Sequence, residues 1–74
     1  MANVRKFDYV PVNSTRPHTD VEANIGGVII DGEKFIQIDT FGSSDRMIPG
    51  KTSQTLRLSK SAFDELTDLG KNFF

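Results

Sequence analysis

Two segments rich in β-branched and aromatic residues flank an Asp-Gly pair near the middle of the chain. They are residues 21–30 and residues 33–41, with Asp31-Gly32 between them. Asp-Gly is a preferred pair for a two-residue type I′ turn, because both central residues need a positive φ. The pattern predicts a β-hairpin in which Ile30 pairs with Glu33.

This register sorts the side chains onto two faces, because cross-strand partners share a face. One face is apolar and carries Ile25, Ile29, Ile36 and Ile38. The other is mixed and carries Asn24, Gly26, Val28, Phe35, Gln37, Asp39 and Phe41. After a polar loop, residues 51–58 alternate again, with Leu56 and Leu58 on one side and Thr55 and Arg57 on the other. We expect the isoleucine and leucine sides to share the core, which leaves the mixed face open.

The C-terminal part of the chain has the spacing of a helix. Ser59 is suited to the N-cap, because its hydroxyl can accept a hydrogen bond from an amide of the first turn. An apolar stripe follows at helical spacing, made of Ala62, Phe63, Leu66 and Leu69. Gly70 is a natural terminator in the left-handed conformation, which predicts a helix of about ten residues.

The N-terminal part is less regular. Residues 4–12 have the composition of an edge strand, although Pro11 removes one backbone donor. Residues 13–20 form a predicted loop. The whole chain, residues 1–74, is therefore predicted to be one α+β domain with residues 1–3 and 71–74 frayed. Its expected fold is a curved antiparallel sheet of about four strands followed by one C-terminal helix.

Composition indicates that the domain needs a partner. A chain of 74 residues buries only about 60–65% of its unfolded surface. It has no cysteine for disulfides or thiolate metal sites, and His18 is its single histidine. We therefore expect neither metal nor cofactor, and a homodimer through Phe63, Leu66, Leu69 and Phe73. No segment approaches the about 20 apolar residues of a membrane span, and the first residues lack the apolar run of a secretory signal. A cytoplasmic protein without a membrane partner is expected.

Catalytic groups are sparse. His18 and Asp20 lie near Arg16 in the predicted loop, but no nucleophile accompanies them. Asp31 and Glu33 lie at a turn, where an aspartate favours the turn conformation of the backbone. The sequence predicts that the protein is not an enzyme. The remaining alternative is an enzyme that acts on a small phosphorylated ligand through His18, Arg16 and Arg46.

The mixed face is the strongest functional feature. Aromatic rings on a sheet flanked by cations can stack bases and hold phosphates of single-stranded nucleic acid. Phe35 and Phe41 are the predicted stacking rings, and their polar neighbours on the face are Gln37 and Thr55. The predicted phosphate contacts are Lys34, Arg46, Lys51 and Arg57. An alternative leaves the two phenylalanines as a minor core under the N-terminal strand and pairs Arg57 with Asp39.

Residues 32–69, roughly half of the chain, resemble the transcriptional-coactivator family of single-stranded-DNA-binding proteins of the positive-cofactor-four type. Three motifs carry the resemblance in order: I-Q-I-D-T-F-G from Ile36, Pro49-Gly50-Lys51, and S-K-S-A-F-D-E-L from Ser59. The resemblance implies a curved antiparallel sheet that binds single strands with little sequence preference. It also implies a C-terminal helix that forms the dimer interface. Unlike the usual family pattern, this chain has no tryptophan.

Two function classes follow from these features. The first is a homodimeric single-stranded nucleic-acid-binding module of the coactivator type. The second is an accessory protein of a phage or mobile element that binds or inhibits a protein partner through the same surface. The formal net charge of −1 is unlike that of a duplex-DNA-binding domain, so any nucleic-acid site must be a local patch.

Overall fold

The computed structural model describes residues 1–41 and 52–74, with the backbone alone at Thr52 and Ser53. The elements in chain order are β1 (Ala2–Val4), β2 (Ala23–Ile30), β3 (Glu33–Phe41), β4 (Thr52–Leu58) and α1 (Lys60–Phe73). The strands form one sheet in the order β1-β4-β3-β2. The predicted α+β class, with four strands followed by one C-terminal helix, is confirmed.

The central hairpin has the predicted turn and register. Asp31 and Gly32 have φ angles of 50° and 81°, as the type I′ turn requires. Ile30 pairs with Glu33 and Val28 pairs with Phe35. β4 then pairs antiparallel with the other side of β3. Local turn chemistry and alternation therefore account for the three long strands.

The N-terminal edge differs from the prediction. β1 is Ala2–Val4 and lies parallel to β4, so the sheet is mixed and not wholly antiparallel. Residues 5–22 form neither helix nor strand, so the predicted strand over residues 4–12 is wrong. Two of the residues that were expected to fray, Ala2 and Asn3, pair with Leu56 and Arg57 of β4. Pro11 and the mixed polarity of both faces explain why the later residues do not join a sheet.

The helix begins as predicted and ends later. Ser59 is the N-cap, and its Oγ accepts a hydrogen bond from the Ala62 amide at 3.2 Å. The helix continues through Gly70 to Phe73, so the predicted stop at Gly70 is wrong and residues 71–73 belong to the helix. Lys71 lies in the last turn, where a positive charge interacts favourably with the helix dipole.

The sheet has two chemically different faces. We call the side with Ile36, Ile38, Leu56 and Leu58 the helix face, because Ile36 and Leu58 line a groove of about 510 Å³ together with Phe63 of α1. We call the other side the open face. The buried hydrophobic residues among those described are Phe35, Leu58 and Ala62. The core is therefore small and lies where β3, β4 and the start of α1 meet.

Candidate nucleic-acid interface

A row of hydrogen-bonded polar side chains crosses the open face. Gln37 and Asp39 project from β3 opposite Arg57 and Thr55 of β4. Arg57 Nε donates to Gln37 Oε1 at 2.9 Å. Gln37 Nε2 donates to both carboxylate oxygens of Asp39 at 3.2 and 3.1 Å, and Thr55 Oγ1 donates to Asp39 Oδ1 at 2.7 Å. The register thus brings four residues into one ordered polar row.

The charges of this row are balanced. The hydrogen bond from Thr55 and then that from Gln37 hold the pKa of the Asp39 carboxyl below its ordinary value of 3.8, and the positive charge of Arg57 acts in the same direction. Asp39 is therefore ionised at neutral pH. Nε of Arg57 bonds within the row, and its two Nη groups make no hydrogen bond to any described residue. The guanidinium retains donors for an anionic group.

Phe35 is not the exposed ring that the sequence suggested. Its relative exposure is 6%, and the Arg5 guanidinium lies over the ring at 5.4 Å from the centroid. Arg5 also donates to the two carboxylate oxygens of Glu33 at 2.7 and 3.0 Å. The expectation that Phe35 protrudes from the face is wrong, because the residue after β1 places a side chain over it. This arrangement agrees with the alternative that made Phe35 part of a minor core.

The other predicted contacts are divided between the two faces. Phe41 is half-buried at the end of β3, and its amide donates to the Glu22 carbonyl at 3.3 Å. Lys34 pairs with Ile29 and lines the groove beside Phe63, so it lies on the helix face and is separated from Arg57. Arg46 and Lys51 lie outside the described residues.

A shallow depression on the open face was not predicted. It has a volume of about 340 Å³ and lies between Asn24, Val28, Gln37 and Asp39. Gly26 supplies its floor, where an added Cβ would meet no atom within 4 Å. Carboxylate and amide groups therefore surround a space that a flat polar group can enter. The adjacent glycines Gly26 and Gly27 in a strand rich in isoleucine and valine were the available signal, since a glycine in a strand often marks a close approach of a ligand.

The predicted dimer residues form an exposed apolar stripe on α1. The relative exposures of Phe63, Leu66 and Leu69 are 43, 44 and 43%, and that of Phe73 is 75%. We call these four residues the α1 stripe. The sheet therefore leaves much of the apolar surface of α1 in contact with solvent.

Other sites have little support in the described ranges. No cluster of three or more histidine, cysteine, aspartate or glutamate residues in residues 1–41 and 54–74 is placed to hold a metal ion. His18 and Arg16 are exposed in the irregular segment before β2. Within the same described part of the chain, no helix has the length and apolar character needed to cross a membrane.

Comparison with known proteins adds no assignment. No protein-family model, curated protein or solved structure matches the chain.

Proposed function

We propose that the protein binds single-stranded nucleic acid with little sequence preference through the open face of its sheet, as a module of the coactivator type. The observation that carries this proposal is the ordered row from Arg57 to Asp39 on the face opposite α1. A preorganised row binds a flexible strand with less loss of side-chain entropy than mobile side chains do. The resemblance in the order of elements supports the same ligand.

The ligand contacts follow from the chemistry of the face. The Arg57 guanidinium contacts a phosphate through its Nη donors. Phe41 stacks on a base at the end of β3, and sequence tolerance follows because every base has a π-face. The depression beside Gly26 accommodates a base edge, with Asn24 and Gln37 as neutral polar partners. Arg46 and Lys51 contribute further phosphate contacts in this proposal.

Self-association through the α1 stripe is part of the proposal. The rings and leucines of the stripe are 43–75% exposed in the single chain. Packing against the stripe of a second copy would remove apolar surface from water, which is the main favourable term in association. A cytoplasmic location belongs to the proposal, because its ligand is found inside cells.

Matched variants test the nucleic-acid site. Fluorescence anisotropy with a labelled oligo-dT measures affinity for the unchanged protein, Arg57→Gln and Lys60→Gln. Lys60 forms an exposed pair with Asp64 on α1, so its variant removes the same charge away from the open face. We expect Arg57→Gln to weaken binding at least fivefold and Lys60→Gln to weaken it less than twofold. Equal losses would show that net charge alone governs binding and would contradict the site.

An aromatic pair gives a second comparison. Phe41→Ala removes a half-buried ring from the open face, and Phe74→Ala removes a fully exposed ring after α1. Loss of one stacked base costs about 1–3 kcal/mol, which is about a 5- to 150-fold loss of affinity. We expect that loss for Phe41→Ala alone, with far-ultraviolet circular dichroism as the control for folding.

A protein partner is the second candidate, and Asp39 favours it. An ionised carboxylate in the middle of the face repels phosphate, and it suits a donor-rich protein surface. Asp39→Asn distinguishes the two candidates, because removal of this charge strengthens binding to oligo-dT if the ligand is nucleic acid. Absence of oligo-dT binding together with a purified stable protein complex that Asp39→Asn weakens would favour the protein partner.

A further inference from the structure

The two edges of the sheet differ in length and protection. β1 has 3 residues, whereas β2 at the opposite edge has 8. Short length, proline and charged side chains are the usual protections of an edge against pairing with another chain. β2 reads A-N-I-G-G-V-I-I and contains neither proline nor charge. Among the described residues, β3 is its only pairing partner, so no described strand pairs with its outer backbone groups.

Turn geometry shows which backbone groups of β2 point outward. Residues that flank a two-residue turn exchange backbone hydrogen bonds, and bonded and non-bonded pairs then alternate along an antiparallel ladder. Ile30 and Glu33 flank the turn, so the even-numbered residues of β2 bond to β3. The bond from the Phe41 amide to the Glu22 carbonyl continues this series. The amide and carbonyl groups of the odd-numbered residues, Gly27 among them, therefore point away from β3.

We propose that the outer edge of β2 pairs antiparallel with the same edge of a second copy of this chain, with Gly27 directly opposite the partner's Gly27. The two-fold axis is normal to the sheet at this position. Ile25 then lies opposite the partner's Ile29, and the reciprocal pair forms on the other side of the axis. The result is a continuous eight-stranded sheet.

Exposure of the isoleucines favours this register. Ile25 and Ile29 share the helix face and are 73 and 65% exposed. The proposed register places them against each other and uses the outward groups of every odd-numbered residue between them. A shift of two residues would keep those groups in step but would place an isoleucine opposite Gly27. The symmetric register therefore covers the most exposed apolar surface of the strand.

The pairing uses the backbone edge of β2, whereas the α1 stripe consists of side chains on the helix. α1 packs against β3 and β4, and Gly27 and Ile29 of β2 line the groove beside Phe63, so the outer edge of β2 lies beyond that groove. Both open faces lie on the same side of the eight-stranded sheet. If the proposed function holds, a single strand can cross from one copy to the other. The pairing itself requires no ligand and is tested without one.

Single-cysteine cross-linking tests the axis. The chain has no cysteine, and an added Cβ at Gly27 meets nothing within 4 Å. In a hydrogen-bonded antiparallel pair the Cα atoms are about 5.5 Å apart, within the range that a disulfide spans. We expect mild oxidation of Gly27→Cys to give a covalent dimer. Ile25→Cys alone should not cross-link, because its two copies lie about 14 Å apart along the strands.

A mixture completes the register test. Oxidation of Ile25→Cys mixed with Ile29→Cys should give the mixed dimer, because these positions face each other. Leu66→Asp in the Gly27→Cys background should leave the cross-link unchanged, which separates this edge from the α1 stripe. The proposal is overturned if folded Gly27→Cys stays monomeric on oxidation, or if Ile25→Cys alone cross-links equally fast.

Charge substitutions give an independent readout by sedimentation velocity without oxidant. The Ile25→Lys/Ile29→Lys variant places like charges opposite each other and should lose the edge contact. The Ile25→Lys/Ile29→Glu variant places opposite charges across the axis and should regain it at low ionic strength. Equal masses for the two variants, with circular dichroism showing both folded, would contradict the pairing.

Discussion

Substitution of Phe35 distinguishes a structural role of this ring from a ligand-binding role. A base-stacking ring must be accessible, whereas this ring is 6% exposed and lies beneath Arg5. Truncation of a buried phenylalanine to alanine costs about 3–5 kcal/mol. A domain of this length has a total stability of about 4–11 kcal/mol. Phe35→Ala should therefore remove a large part of the free energy of unfolding.

Phe35→Leu makes the test possible in a folded protein. It keeps an apolar side chain in the same space and should cost about 1–2 kcal/mol. With a urea m-value near 1 kcal/mol/M, the unfolding midpoint followed by circular dichroism should fall by about 1–2 M. Affinity for oligo-dT should change less than twofold. An unchanged midpoint with a fivefold or larger loss of affinity would refute the burial argument and restore Phe35 as a stacking ring.

Three further predictions concern the helix and the polar row. Ser59→Ala removes the N-cap acceptor and should destabilise the domain by about 1 kcal/mol in urea; a change below about 0.3 kcal/mol would show that the cap is not formed. Gly70→Ala should stabilise the domain by about 0.5–1 kcal/mol and raise the melting temperature, because Gly70 lies inside the helix and an added Cβ meets only Phe74, at 4.0 Å. Destabilisation would instead place Gly70 in the left-handed conformation. The lowered pKa of Asp39 predicts a contribution to stability that is present above its ordinary pKa of 3.8 and is lost as pH falls through the lower folded value. The urea unfolding midpoint should therefore fall less between pH 6 and pH 2 in Asp39→Asn than in the unchanged protein.

Local signals made the central fold predictable. Asp31-Gly32 determines the turn and therefore the register of β2 against β3. Ser59 marks the start of α1 because its cap depends on residues that lie three positions apart. The row on the open face followed from the same register, since alternation assigns Gln37, Asp39 and Arg57 to one side.

Contacts between distant segments were beyond the sequence pattern. β1 pairs with β4 across more than 50 residues, and three residues carry too little periodicity to reveal a parallel partner. Arg5 reaches Glu33 over a separation of 28 residues, and its guanidinium lies over the buried ring of Phe35. Gly70 shows a different limit, because glycine permits the left-handed conformation without requiring it.

The salt dependence of oligo-dT binding tests the central proposal most directly. A single strand releases counterions when Arg46, Lys51 and Arg57 neutralise its phosphates. The logarithm of the binding constant then falls with the logarithm of the salt concentration, with a slope of about −0.7 for each neutralised phosphate. We predict measurable binding at low ionic strength with a slope of about −2, and a shallower slope for Arg57→Gln. No binding by folded protein at low salt, or an affinity that does not change with salt, would contradict the nucleic-acid function.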